Sequence, residues 1–168
     1  MILIGISGKK RSGKDTLATA IKVHTTLLIH KIAFADALKK EVAAALGITV
    51  QELERDKDFY RPILQWWGTD YRRKKFGEDY WTIQFAKAFL KSEADMVIAP
   101  DVRFPNEAGL IRQSGGILIR VEREGLPTDV HESETALDRY KFDYTFNNTT
   151  VDSCNQFARV LLSRIANQ

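Results

Sequence analysis

The chain has 168 residues, 44% of them hydrophobic and 28% charged, with a net charge of +3. That balance suits one globular domain and sets disorder aside, and the modest charge fits anionic small substrates as well as nucleic acid. Cys154 is the one cysteine, so an internal disulfide is excluded, and the three histidines, at 24, 30 and 131, are scattered without metal-site spacing.

No apolar run approaches the roughly 18 residues of a membrane span. No basic region leads into a long apolar stretch at the N-terminus. The expectation is a cytoplasmic protein in a reducing setting, with no membrane partner. The sequence leaves open whether it is a monomer or a homodimer.

Residues 2–6, "ILIGI", read as a short buried strand, followed by "GISGKKRSGKDT" (5–16) and a helix from Lys14 to about His24. "LLIHKIAFA" (27–35) is a second strand candidate. "DALKKEVAAALG" (36–47) is an amphipathic helix with Asp36 at its start and Gly47 at its end. "TVQE" (49–52) matches a capping box, so a short helix starts there.

"RPILQWWGTDYRRKKF" (61–76) has helical spacing, with Pro62 tolerable in a first turn. A helix over 79–92 carries Trp81, Phe85 and Phe89 on one face. "MVIAP" (96–100) is a buried strand ending at Asp101, "PNEAGLIRQSG" (105–115) a helix and "GILIRVE" (116–122) a strand. Residues 123–140 are polar and unpatterned, a length at which loops are usually functional. "DYTFNN" (143–148) is a last strand, and Thr150 caps a final helix to about Ile165.

Short apolar strands alternating with helices imply an α/β fold whose mostly parallel sheet is covered on both faces. The expected organisation is one domain, 1–168, with a helical insertion over 48–93 and a lid-like loop over 123–140.

Gly8-x-x-x-x-Gly13-Lys14 is a phosphate-loop pattern in its proper context, after a strand and opening a helix. The glycines let consecutive N–H groups line one concavity, and the helix N-terminus adds partial positive charge. Lys14 can follow the charge on β- and γ-phosphates during transfer. Lys10 and Arg11 belong on the rim, and Lys9 is the cation with least claim.

The usual pattern has Ser or Thr after the lysine, as an Mg²⁺ ligand. Here Asp15 stands there and the hydroxyl moves to Thr16. Asp15 either touches Mg²⁺ through water or favours the helix N-terminus by its charge. Thr16 suits a phosphate oxygen.

In "MVIAPDVRFPNEA", Asp101 is an acidic residue at the end of a buried strand, where open α/β sheets build their sites. It can orient Mg²⁺ waters or a substrate group, and Arg103 can enter the same crevice. A turn residue and a surface ion pair are the plainer readings of these two.

No Asn-Lys-x-Asp segment reads a guanine base, and the strand before Asp101 leads to "DVR" rather than an acidic pair. An arginine-rich insertion and a mobile loop suit a small-molecule kinase, which needs cations and exclusion of water.

"GKKRSGKDT", "FADALK", "LQWWGTDYRR", "DVRFPNEA", "HESE" and "DYTFNN" come in an order and spacing that resembles the phage-type deoxynucleoside monophosphate kinases, over nearly the whole chain. Phosphomevalonate and dephospho-coenzyme A kinases look like more distant relatives.

The resemblance implies a P-loop kinase three-layer α/β/α fold with about five strands, a substrate-binding insertion and a lid. It also implies ATP + dNMP → ADP + dNDP with Mg²⁺. Carried over, ATP sits on Gly8, Lys10, Arg11, Gly13, Lys14, Asp15 and Thr16, with adenine near Asn148 and Thr150. Mg²⁺ falls to Asp15, Thr16 and Asp101. The acceptor lies among Phe34, Asp36, Lys39, Arg61, Gln65, Trp66, Thr69, Asp70, Arg72, Asp101 and Arg103.

Arg61, Arg72 and Arg103 are candidate phosphate clamps, because a guanidinium fork matches a phosphate bidentately. Gln65, Thr69 and Asp70 suit base edges or sugar hydroxyls. Trp66, Trp67 or Trp81 can stack on a base or simply fill a core. Asp36 serves equally as a helix cap. Lys14, Arg103 and the lid residue Arg123, preferred over Arg120, are the expected catalytic cations. For His131–Glu134 a lid latch or a helix start with Ser133 as its cap is the modest reading. A kinase for another phosphorylated metabolite and a nucleic-acid-binding module are the competing classes; no nucleic-acid partner is expected.

Overall fold

The computed structural model describes residues 1–126 and 130–167. Residues 127–129 of the expected lid loop lie outside the described residues.

In chain order the elements are β1 (Ile2–Ser7), α1 (Lys14–Val23), β2 (Ile29–Lys31), α2 (Ala35–Leu46), α3 (Val50–Arg55) and α4 (Lys57–Gln65). A π-helical segment (Trp66–Arg73) leads into the single turn α5 (Lys74–Phe76), then α6 (Tyr80–Leu90). There follow β3 (Met96–Val102), α7 (Pro105–Gln113), β4 (Ile117–Glu122), α8 (Glu132–Thr135), β5 (Tyr144–Asn147) and α9 (Val151–Ala166).

The chain divides into two compact units, Met1–Lys31 with Ser92–Gln168, and Ile32–Lys91. The second unit therefore includes α2 along with the helices of segment 48–93.

The first unit is built on a five-stranded parallel sheet in the order β2-β3-β1-β4-β5. Ile4, Ile6, Ile98, Ile119 and Val121 pack with Leu17 and Ile21 of α1 and Ala158 and Leu161 of α9. Helix α7 packs on β1 and β4. Gly5 leaves room there: a Cβ would stand 2.9 Å from Leu118 and 3.1 Å from Ile111. Each fully buried aliphatic side chain contributes about 1.5–3 kcal/mol. β1 lies between β3 and β4, so the loop after it opens where the order of strands reverses, the position at which open α/β sheets bind ligands.

Four expectations change. The strand over 27–35 shrinks to Ile29–Lys31. The Asp36 carboxylate accepts from the Ala33 N–H at 2.8 Å, and that turn starts α2 at once. Pro62 sits inside α4, not in a first turn, because the helix begins at Lys57.

The strand expected to end at Pro100 runs on to Val102. Gly5 pairs with Ala99 but Ser7 with Val102, so β3 carries one extra residue around Pro100 and Asp101. A bulge tolerates proline and re-aims the neighbouring side chain. Finally, the 123–140 segment contains the short helix α8.

In the second unit, Val42, Ala43 and Leu53 form a small core with Leu38, Tyr60, Ile63, Leu64 and Trp67. The capping box is present: Thr49 accepts from the Glu52 N–H at 3.1 Å and Glu52 from the Thr49 N–H at 2.8 Å.

Candidate active site

The loop after β1 is shaped by its backbone. Gly13 stands at φ 100° as the residue before α1, and no side chain caps the helix. The first bond of α1 runs from the Leu17 N–H to the Gly13 carbonyl, so the N–H groups ahead of it turn back to the loop. Among the described residues, Arg11 is the one non-glycine residue at positive φ, 63°. Such conformations persist where surrounding structure fixes them, often at ligand sites.

Lys14 is 8% exposed. Its Nζ donates to the carbonyls of Gly8, at 2.6 Å, and Lys9, at 2.7 Å. Burial, and then the Arg103 guanidinium, push the ammonium down to about 8, while Glu134, Asp15 and Asp101 pull it up. The Ser12 hydroxyl is buried and has no hydrogen-bond partner among the described residues. An uncapped helix start, an unmatched buried hydroxyl and a buried ammonium fit a polyphosphate.

Asn148 is buried, and its amide donates to the Ser12 carbonyl at 2.8 Å while its oxygen accepts from the Cys154 thiol at 3.3 Å. Its side chain therefore braces the phosphate loop, where the resemblance implied a place near adenine. Thr150 caps α9, accepting from the Ser153 N–H at 3.1 Å.

Asp15 is exposed at the start of α1 and pairs with Lys31 at the end of β2, at 2.5 Å. Thr16 is half-buried in the first turn of α1. Among the described residues, no three His, Cys, Asp or Glu side chains gather to hold a metal.

Arg103 follows β3. Its Nη1 donates to the Ser133 carbonyl at 3.0 Å and to the carboxylate of Glu134. Its Nε and Nη2 make no hydrogen bond among the described residues. Glu134 is buried, and its other oxygen accepts from the Lys10 N–H at 2.9 Å. Glu107, also buried, accepts from the N–H groups of Arg103, at 2.7 Å, and Phe104, at 3.2 Å.

Sequence reasoning assigned no role to Glu107 and none of chemistry to Glu134. Phe104-Pro-Asn-Glu107 carries the third-position glutamate of a capping box, a signal that could have found the first.

Arg123 lines a cavity of about 360 Å³ with Lys9, Ser12, Arg120 and Asn147. Arg120 is tied down, donating to Asp138 at 2.9 Å. A helix does start here, but its cap is His131 and not Ser133: the His131 Nδ1 accepts from the Ser133 N–H at 3.1 Å.

In the second unit the named residues fall into two groups. Phe34 is buried, stacked on Phe85 at 4.1 Å between ring centroids. Lys39 pairs with Glu54 at 2.5 Å. Arg72 donates its Nε to Glu41 at 2.7 Å and lies over the rings of Trp67, Tyr71, Phe76 and Tyr80. Glu41 also accepts from Trp67 at 3.0 Å and Tyr80 at 2.5 Å. Burial raises the Glu41 carboxyl, but the bonds from Tyr80, Trp67 and Arg72 outweigh it and hold it below the usual range.

Gln65, Trp66, Thr69 and Asp70 stand at or in the π-helical segment, a feature frequent at functional sites. Trp66 is 52% exposed and stacks on Tyr71 at 5.6 Å. Thr69 is buried, and Asp70 pairs with Lys74 at 2.5 Å. Arg61 is half-buried in α4, and Trp81 is buried, donating to the Gly68 carbonyl at 2.9 Å.

A parallel sheet with a glycine-framed phosphate loop at its strand reversal, and a buried lysine opening the next helix, define a P-loop kinase. Solved structures share the fold: a Thermus thermophilus protein at TM-score 0.55 and 18% identity, covering 99% of this chain and 97% of that one. Shikimate kinase from Aquifex aeolicus matches at TM-score 0.51 and 14% identity, covering 99% and 98%.

The family model described as phosphomevalonate kinase matches residues 6–115. A mimivirus protein (Acanthamoeba polyphaga mimivirus) named a deoxynucleotide monophosphate kinase is 32% identical, over 90% of this chain and 91% of its own. The deoxynucleoside-5'-monophosphate kinase of Escherichia phage T5 is 23% identical over 67% of this chain and 72% of its own. The chain belongs to the family that this model describes and, with the mimivirus protein, to the deoxynucleotide monophosphate kinases. Among the described residues, no helix is long and apolar enough to cross a membrane.

Proposed function

We propose that this chain transfers the γ-phosphoryl group of ATP to a deoxynucleoside monophosphate, giving ADP and the deoxynucleoside diphosphate. The observation that carries phosphoryl transfer is the buried Lys14 ammonium, held on the Gly8 and Lys9 carbonyls beside a Ser12 hydroxyl with no partner among the described residues. The acceptor class is taken from the names of the relatives.

The acceptor phosphate is already anionic at neutral pH, so no strong general base and no covalent enzyme intermediate are needed. The chain's work is positioning and charge neutralisation. Lys14 exchanges the Gly8 and Lys9 carbonyls for phosphate oxygens. Arg103 takes an acceptor or transferring oxygen through its unbonded edge, and Arg123 approaches ATP from the loop after β4. Asp15, Thr16 and Asp101 would hold Mg²⁺, directly or through water. When bound, Mg²⁺ supplies further neutralisation of phosphate charge.

In the second unit, Arg61, Gln65, Trp66, Thr69 and Asp70 are the candidates for reading the acceptor. Phe34, Asp36, Lys39 and Arg72, engaged with their own unit, shape it instead.

The test is ADP release measured across all dNMPs, NMPs and phosphomevalonate. Activity on one or more dNMPs is expected, and none on any nucleotide overturns the reading. The family model's description favours one other acceptor, phosphomevalonate, and turnover of that compound alone would establish it.

A further inference from the structure

We propose that Glu134 is the positioning residue of this site, a buried carboxylate that sets the guanidinium of Arg103 against the phosphate loop. The inference rests on reading the site as one for phosphoryl transfer. Its side chain is 1% exposed. A carboxylate in such surroundings is tolerated only when its oxygens are matched, and both are: one by the Lys10 N–H of the loop, the other by Arg103.

The choice of atoms matters. Glu134 and the Ser133 carbonyl together engage only Nη1 of Arg103. They fix the plane of the guanidinium while the Nε and Nη2 edge, the fork that suits a phosphate, makes no hydrogen bond among the described residues. The carboxylate is itself fixed, because the Glu134 N–H donates to the His131 carbonyl at 2.8 Å and His131 starts α8.

Its charge acts on Lys14 as well. Arg103 disfavours the Lys14 ammonium, and Glu134 opposes that effect. One buried anion thus offsets the repulsion between two cations and ties Arg103 and the Lys10 amide to the segment after β4.

A double-mutant cycle tests this. Glu134→Gln should lower kcat on a dNMP by about 100-fold with the KM for ATP almost unchanged. Combined with Arg103→Ala it should be no worse than Arg103→Ala alone. Thr135→Ala, on the same short helix, should match wild type, and Glu134→Asp should fall between.

Activity of Glu134→Gln within about twofold of wild type, or strictly multiplicative losses in the double variant, overturns the proposal. Should Glu134→Gln fail to fold, Glu134→Asp takes its place in the cycle with the same criterion.

A second readout is independent of turnover. Nitrogen NMR of the arginine side chains, with Arg103 assigned by Arg103→Lys, should show distinct Nη resonances that merge in Glu134→Gln. If wild type phosphorylates no nucleotide, the substrate reading fails alone, and this spectrum decides Glu134: merging supports the proposal, identical spectra overturn it.

Discussion

The Lys14 ammonium donates to the Gly8 carbonyl at 2.6 Å, so the phosphate loop grips its own lysine across the concavity. The lysine is held where a phosphate would meet it, and little reorganisation is needed when the anion arrives. Lys14→Met keeps the aliphatic stem and deletes the charge. It should lower kcat by about 10²–10³-fold, with the far-ultraviolet dichroism of the wild type. Near-normal turnover in that variant would remove Lys14 from the mechanism.

The depressed Lys14 pKa gives nucleotide binding a pH signature. With its pKa at about 8, the Lys14 ammonium is half deprotonated near pH 8. Bound phosphate favours the charged form and raises the value again. Binding near and above pH 8 should therefore take up a proton, and affinity should fall as pH rises through 8 toward the bound-state value. Calorimetry in two buffers of different ionisation enthalpy measures the uptake. Its absence in wild type, or its survival in Lys14→Met, contradicts the assignment.

Glu41 is the hub of the second unit, accepting from Trp67, Arg72 and Tyr80. Glu41→Ala leaves three donors without their acceptor and should cost about 1–3 kcal/mol, read by urea unfolding. The carboxyl is held below the usual glutamate range, so its contribution is complete above that range and fades as pH falls below it. Glu41→Gln should flatten the acid limb of the stability profile. An unchanged acid limb would assign the cluster's stability to ring packing around Arg72 instead.

Gly13 and Asn148 are coupled by contact. A Cβ at Gly13 would stand 2.0 Å from the Asn148 amide nitrogen, on a backbone at φ 100°. Gly13→Ala should destabilise by about 1–3 kcal/mol through strain and collision. Asn148→Ala should cost about 1–2 kcal/mol by freeing the Ser12 carbonyl. The double variant should lose less than the sum, because the smaller side chain at 148 removes the collision. Additive losses would show that backbone strain alone excludes alanine at 13.

The phosphate loop was legible because its determinants are local. Gly8, Gly13 and Lys14 act through backbone conformation and spacing within one strand–loop–helix unit, which the sequence displays directly. The capping box at Thr49 and the helix cap at Thr150 were legible for the same reason. Pro62 and Asp101 were not. A helix beginning upstream and a bulge opposite β1 depend on neighbours that local spacing does not reveal.

By itself, then, the sequence determined the order of strands and helices, the loop that receives phosphate and the lysine within it. Tertiary structure decided which charges share that site. Glu134 meets Arg103 across 31 residues and the Lys10 amide across 124, and Asn148 reaches Ser12 across 136. The reason is physical: a buried charge is tolerable only beside its partners, and it is the strand order around β1 that carries the loop, the end of β3 and the segment after β4 to the same place.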